Sequence, residues 1–181
     1  LTLSPDVVGG DPGEAQFVPH IMGIMHAPGY PLYTLAAWLW SHEIGVKMVS
    51  QDLSCNCPLG FFERFLCYLL ARRLGTGQVP AVIAAQVLAT SPLFRFWATT
   101  AGIRSFTAFS FAITIYLAIW CHQEFEQGSR FSSTFMALCL AYGFGLAHHH
   151  TIVLILPALL LLVWIAIHEV LRSPRKAVAV L

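Results

Sequence analysis

Charge is what this sequence has least of. Asp, Glu, Lys and Arg make up only 10% of its 181 residues, while 57% are hydrophobic; an ordinary water-soluble domain carries about 25% charged residues. A chain this poor in charge cannot cover itself with a solvated surface; its net charge of +1 says little by itself, and no nucleic-acid partner is expected. A disulfide framework is also missing, because the five cysteines, Cys55, Cys57, Cys67, Cys121 and Cys139, are odd in number. The Cys55-x-Cys57 pair has no second pair at ligand spacing, which argues against a structural zinc site. No basic region leads into a short apolar one at the start, so no signal peptide is visible. The short alternating segments of a membrane barrel are absent, as are repeats and low-complexity tracts.

What the sequence does have is long uncharged stretches. None of the four charged residue types occurs between Arg104 and Glu124, and 38 residues without one separate Arg130 from Glu169. As one helix the second stretch would reach ~57 Å, almost twice the ~30 Å of a hydrocarbon core, so two spans joined by a turn near AHHHT fit better. A third stretch lies between Arg73 and Arg95, with Ser91-Pro92 suited to a bend. Backbone groups in lipid must bond within their own segment. The reading is therefore an all-α, polytopic helical membrane protein. Residues 1–30 form a polar outer loop, 31–74 an interfacial helix and a disrupted span, and 79–168 about four transmembrane helices. The window after Val46 reads as a polar loop where a span is expected, which a local reading-frame slip would explain. Both ends read as cuts, giving an N-terminal fragment of one transmembrane domain.

The placement of positive charge orients these spans. Arg72, Arg73, Arg130, Arg172, Arg175 and Lys176 mark successive loops on one side, against Arg95 and Arg104 on the other. The richer side is expected in the cytoplasm, which puts residues 1–30 and the histidine triplet outside.

Polar chemistry concentrates in that outer region. Asp11 and Glu14 in DPGE read structurally as a capping box, with Asp11 as the cap and Pro12 at the first helical position. Functionally, a carboxylate pair beside a membrane can deprotonate a hydroxyl, and a divalent cation is compatible with it. In HAPGYPLY a rigid turn would hold His26 and Tyr30 toward the loop. Adjacent histidines on a helix point ~100° apart, so residues 148–150 cannot all face one ion, but one of them can face a polar cavity. Arg104, at the mouth of a span, can clamp a phosphate or simply snorkel to the interface.

Taken together, DPGE, HAPGYPLY, LLARRLG and GLAHHHTIVLILPA resemble a bacterial multi-pass membrane family that also includes transmembrane protein O-mannosyltransferases, within the GT-C type glycosyltransferases. The resemblance implies a polyprenyl-phosphate sugar donor, a protein or glycan acceptor, and action on the outer face of the bacterial inner membrane. It implies a catalytic role for Asp11, with Glu14 beside it; His26, Tyr30, Arg104 and His149 are the substrate-binding candidates that their own chemistry suggests. It departs at Gly102, where the family commonly has an acidic residue. The rival readings are a transporter or flippase of lipid-linked substrates, and an inactive structural fragment.

Overall fold

The computed structural model describes residues 9–27, 29–44, 48–100, 102–127 and 133–172, and among these every regular element is helical. In chain order they are α1 (Asp11–Phe17), a short 3-10 turn (Pro19–Ile21), α2 (Pro31–Ile44), α3 (Met48–Arg73), α4 (Gln78–Thr90), α5 (Pro92–Thr99), α6 (Ile103–Glu126), α7 (Ser133–His148), a second 3-10 turn (His150–Ile155) and α8 (Leu156–Arg172).

α6 is the spine, packing against α3, α7 and α8. Its buried residues are small: Ser105, Ser110, Thr114, Ala118 and Cys121. Small side chains let helix backbones approach closely. Their hydroxyls are satisfied locally, Ser110 donating to the Phe106 carbonyl at 2.8 Å and Thr114 to that of Ser110 at 2.7 Å. One apolar cluster, with Ala118, Cys121 and Leu138 at its centre, forms where α7 and α8 meet the C-terminal half of α6. Another joins α1 and α2 through Ala15, Met25, Tyr30, Tyr33 and Ala37, with Ile103 and Phe106 packed against it. The second cluster fixes the N-terminal segment to the start of α6.

The polar window read above as a loop is helical from Met48, and α3 runs unbroken for 26 residues to Arg73. Polar side chains lower hydropathy without breaking backbone hydrogen bonds, and Met, Leu, Gln and Glu are good helix formers. α3 ends in a Schellman arrangement. Gly75 takes a φ of +87°, and the N–H groups of Gly75 and Thr76 donate to the Arg72 and Ala71 carbonyls at 3.1 and 3.2 Å. The bend expected at Ser91-Pro92 is present, with α4 and α5 meeting at 65°.

Among the described residues one helix is long and apolar enough to cross a membrane: α6, with 24 residues. The bent pair α4–α5 adds a second if it counts as one span, while α7 and residues 150–165 are apolar but shorter. Large apolar side chains lie exposed along α4 (Val79, Ile83, Val87), α7 (Met136, Leu140, Phe144) and α8 (Leu160, Leu161, Trp164).

The two ends of α6 differ chemically. At its C-terminal end the Arg73 guanidinium lies 4.0 Å from the Trp120 ring centre and donates to Gln123 Oε1 at 3.0 Å. At its N-terminal end stand Arg104, α1 and the histidine triplet. A helix of this length holds the two ends ~36 Å apart.

Candidate functional site

Gly10 has a φ of +78° and takes the capping position of α1. The N–H groups of Gly13 and Glu14 both reach its carbonyl, at 2.9 and 3.2 Å, and no side chain caps the helix. The expected capping box therefore does not form. Asp11 is already the first helical residue, which leaves Glu14 one position too far along to bond back. Both acidic groups still lie in the first turn, where the helix dipole favours negative charge.

The Glu14 carboxylate turns to His26 instead. The His26 backbone N–H donates to Glu14 Oε1 at 2.6 Å, and His26 Nδ1 pairs with Glu14 Oε2. That hydrogen bond holds the Glu14 carboxyl below its usual range. It raises His26 above the ordinary histidine value, with further help from the charges of Glu14 and Asp11.

The next turn brings in Tyr30. The Gly29 N–H donates to the His26 carbonyl at 2.9 Å, and Gly29 takes a φ of +93°. Tyr30 follows with a φ of 43°, unusual for a bulky residue, and Pro31 opens α2. The ring of Tyr30 is buried. It meets the rings of His26 at 5.6 Å, His148 at 5.9 Å and His149 at 5.4 Å between centroids. Burial pushes its phenol up, and the negative charges of Asp11 and Glu14 add to the effect.

The three histidines do not share one helix, since α7 ends at His148. His148 closes α7 and turns inward, with Nε2 at 3.1 Å from the Thr107 hydroxyl. His149 leaves the helix, and its Nδ1 accepts from the Thr151 N–H at 3.1 Å. This fixes the proton of the neutral ring on Nε2, a donor. Burial, then the neighbouring His150, lowers the His149 pKa and favours that neutral form. His150 is exposed and stacks on His149 at 4.7 Å.

Arg104, in the first turn of α6, lays its guanidinium 3.9 Å from the centre of the Trp97 ring. Asp11, His26, Tyr30, Trp97, Arg104 and His149 then line one cavity of about 510 Å³. Five of the six residues singled out from the sequence meet there. The sixth, Glu14, stands behind His26 and does not line it. Trp97 and Thr107 were not anticipated, and His148 was weighed only as one of the triplet; the signal for Trp97 was its closeness to Arg104 in the chain. Among the described residues, no group of three or more His, Cys, Asp or Glu side chains is arranged to hold a metal ion.

Comparison with known proteins gives these residues a setting. The family described as the protein O-mannosyl-transferase TMEM260 N-terminal domain matches residues 66–172, more than half of the chain. Protein O-mannosyl-transferase tmem260 of Dictyostelium discoideum is 26% identical over 166 residues, covering 86% of this chain and 20% of that protein. Protein O-mannosyl-transferase TMEM260 of Mus musculus is 30% identical over 156 residues, covering 85% of this chain and 22% of that protein. The chain thus spans about a fifth of the length of these relatives. No solved structure matches it.

Proposed function

Because the chain belongs to the protein O-mannosyl-transferase TMEM260 N-terminal domain family, we propose that it forms the donor and acceptor site of a membrane glycosyltransferase of GT-C type. The reaction moves a sugar, mannose by analogy with the relatives' names, from a polyprenyl-phosphate donor to a hydroxyl of a protein or glycan acceptor. α6 and its neighbours are read as a multi-pass bundle in a bacterial inner membrane, with their exposed apolar side chains toward lipid. The basic foot at Arg72 and Arg73 then lies in the cytoplasm, and the cavity on the opposite face.

One observation carries this reading: a carboxylate, a tyrosine, two histidines and an arginine from separate segments line a single cavity. A phosphate leaving group needs anion-binding donors, and an acceptor hydroxyl needs a base close by. The proposed mechanism is a single displacement with inversion. The acceptor hydroxyl oxygen bonds to the anomeric carbon as the bond from that carbon to the phosphate oxygen breaks. Asp11 takes the hydroxyl proton. The polyprenyl phosphate leaves with the bond's electron pair, and its charge is met by Arg104, held over the Trp97 ring, and by the His149 Nε2–H. His26 and Tyr30 shape the wall and can hydrogen-bond the acceptor or the phosphate. Glu14 acts through His26, fixing its ring and its charge, and so serves as a positioning residue. A divalent cation is compatible with these steps.

The donor class is open to direct trial. Membranes containing the protein are offered labelled mannosyl-phosphopolyprenol or a labelled nucleotide sugar. Transfer of label to protein from the lipid donor alone is expected; transfer from the nucleotide sugar alone contradicts the proposal.

One observation favours a second reading, passage of a lipid-linked substrate. The helix α4–α5 is broken by 65°, and transporters build their sites at broken helices. Movement of labelled donor across the membrane without any transfer would support that reading.

A further inference from the structure

The Asp11 cavity leaves the buried carboxyl of Glu63 unused. Glu63 lies on α3 and is 5% exposed, and its Oε1 has no hydrogen-bond partner among the described residues. A buried acceptor without a partner is costly, and native structures rarely keep one without a role. An ionisable side chain within an apolar helical bundle ordinarily faces a cavity or a partner.

Glu63 lines a second, open cavity of about 350 Å³ bordered by α3, the α4–α5 bend and α6. That volume falls in the range of small-molecule sites, about 300–1,000 Å³. Its other polar lining comes from Ser91, Arg104 and Ser105. The Ser105 hydroxyl already donates to the Trp97 carbonyl at 2.9 Å. The rest of the wall is apolar and aromatic, including Phe94 and Trp97. Trp97 and Arg104 line the first cavity as well, so the two spaces adjoin at that pair.

An aromatic wall opposite a buried carboxyl is suited to a carbohydrate. The C–H face of a sugar ring packs on aromatic carbon, while its hydroxyls donate to carboxyl oxygens; a few placed polar groups then fix its orientation. We propose that the second cavity seats the glycosyl group of the lipid-linked donor, with Glu63 accepting hydrogen bonds from its hydroxyls. Arg104, shared by both cavities, faces the phosphate that joins sugar to lipid. Where the two spaces adjoin, the acceptor hydroxyl beside Asp11 meets the anomeric carbon on the face opposite the departing phosphate. This assignment rests on the glycosyl-transfer reading and adds a specificity-determining residue to it.

The trial compares two lipids on the intact protein in nanodiscs: mannosyl-phosphopolyprenol and bare polyprenyl phosphate. Glu63→Leu is expected to weaken binding of the mannosylated lipid about tenfold or more, while the bare phosphate binds as before. Its thermal midpoint is expected to stay level or rise, since a buried unpaired acceptor has been removed. Glu63→Gln, nearly identical in shape, is expected to give a smaller loss with the same selectivity, and it carries the comparison if the Leu variant does not accumulate. Equal binding of both lipids by the wild type and both variants overturns the assignment. So does an equal loss for both lipids accompanied by a lowered midpoint, which is the mark of a structural role. In either case wild-type transfer activity is unaffected and the underlying glycosyltransferase reading stands. A wild type that binds neither lipid and transfers no sugar removes that reading, and the subsite with it.

Discussion

The Tyr30 ring lies on the His149 imidazole, with centroids 5.4 Å apart and planes 27° from parallel. The contact joins the segment before α2 to the turn after α7, two regions far apart in the chain. It closes one side of the Asp11 cavity, and it depends on Tyr30 holding a positive φ behind Gly29.

The turn before Tyr30 is therefore expected to be intolerant of a side chain at Gly29. Its φ of +93° is one that L residues rarely adopt. Gly29→Ala should cost about 1–3 kcal/mol and lower the thermal midpoint in detergent. Tyr30→Phe, which keeps the ring, should leave the midpoint nearly unchanged. An Ala variant as stable as wild type would mean the turn relaxes easily.

The Glu14–His26 pair should make the loop sensitive to pH in both directions. The folded His26 pKa is raised from 6.5, so its contribution is complete below that value and lost as pH climbs through the folded value. The folded Glu14 pKa is lowered from 4.5, so its contribution is complete above that value and lost as pH falls through the folded one. The pair is thus fully formed between about 4.5 and 6.5. Titration of the His26 ring by NMR should give a midpoint above the ordinary histidine value, and Glu14→Gln should bring it back down. An unshifted midpoint in the wild type would contradict the pairing.

Two glycines on α7 should respond in opposite senses to the same change. A Cβ on Gly145 would run into the buried Ile152 side chain, whereas one on Gly143 meets open space. Gly145→Ala should destabilise by about 1–3 kcal/mol through overpacking. Gly143→Ala should stabilise by about 0.5–1 kcal/mol through helix propensity. Unfolding of both variants in one detergent gives the comparison; equal effects would mean that α7 and the turn after it do not pack as described.

Arg104→Lys tests the guanidinium held over the Trp97 ring. Lysine keeps the charge but neither stacks nor binds phosphate through two parallel bonds. The lipid donor KM should rise about tenfold, a loss of ~1.4 kcal/mol, with a smaller change in the acceptor KM. An unchanged donor KM would make Arg104 a plain interface residue.

Some of this was legible in the sequence because local chemistry decided it. Pro92 forces a bend wherever its helix lies, and Gly75 supplies the positive φ that ends α3, so both features could be read from one or two residues. The capping box failed for an equally local reason: Gly10, with its own positive φ, displaced Asp11 from the cap. The polar window before Leu66 was misread because hydropathy was taken as a guide to helicity, and the two are separate properties. Asp11, His26, Tyr30, Arg104 and His149 could each be named as candidates from residue type and setting. Their meeting in one cavity could not be read, because it depends on how α1 and the end of α7 pack against α6. Glu63 was not legible at all. In FFERF it is one more charge, and only packing among α3, the α4–α5 bend and α6 makes it a buried, unpaired one.

The central claim is that Asp11 is the base of a sugar transfer fed by a lipid-linked donor. It is tested most directly by measuring sugar transfer from labelled mannosyl-phosphopolyprenol in membranes holding the protein or its Asp11→Asn variant at equal levels. Asparagine keeps the shape but cannot take the proton, so transfer should fall by about 100-fold or more while donor binding persists. Transfer by Asp11→Asn at the wild-type rate would contradict the claim and move the chemistry to another group.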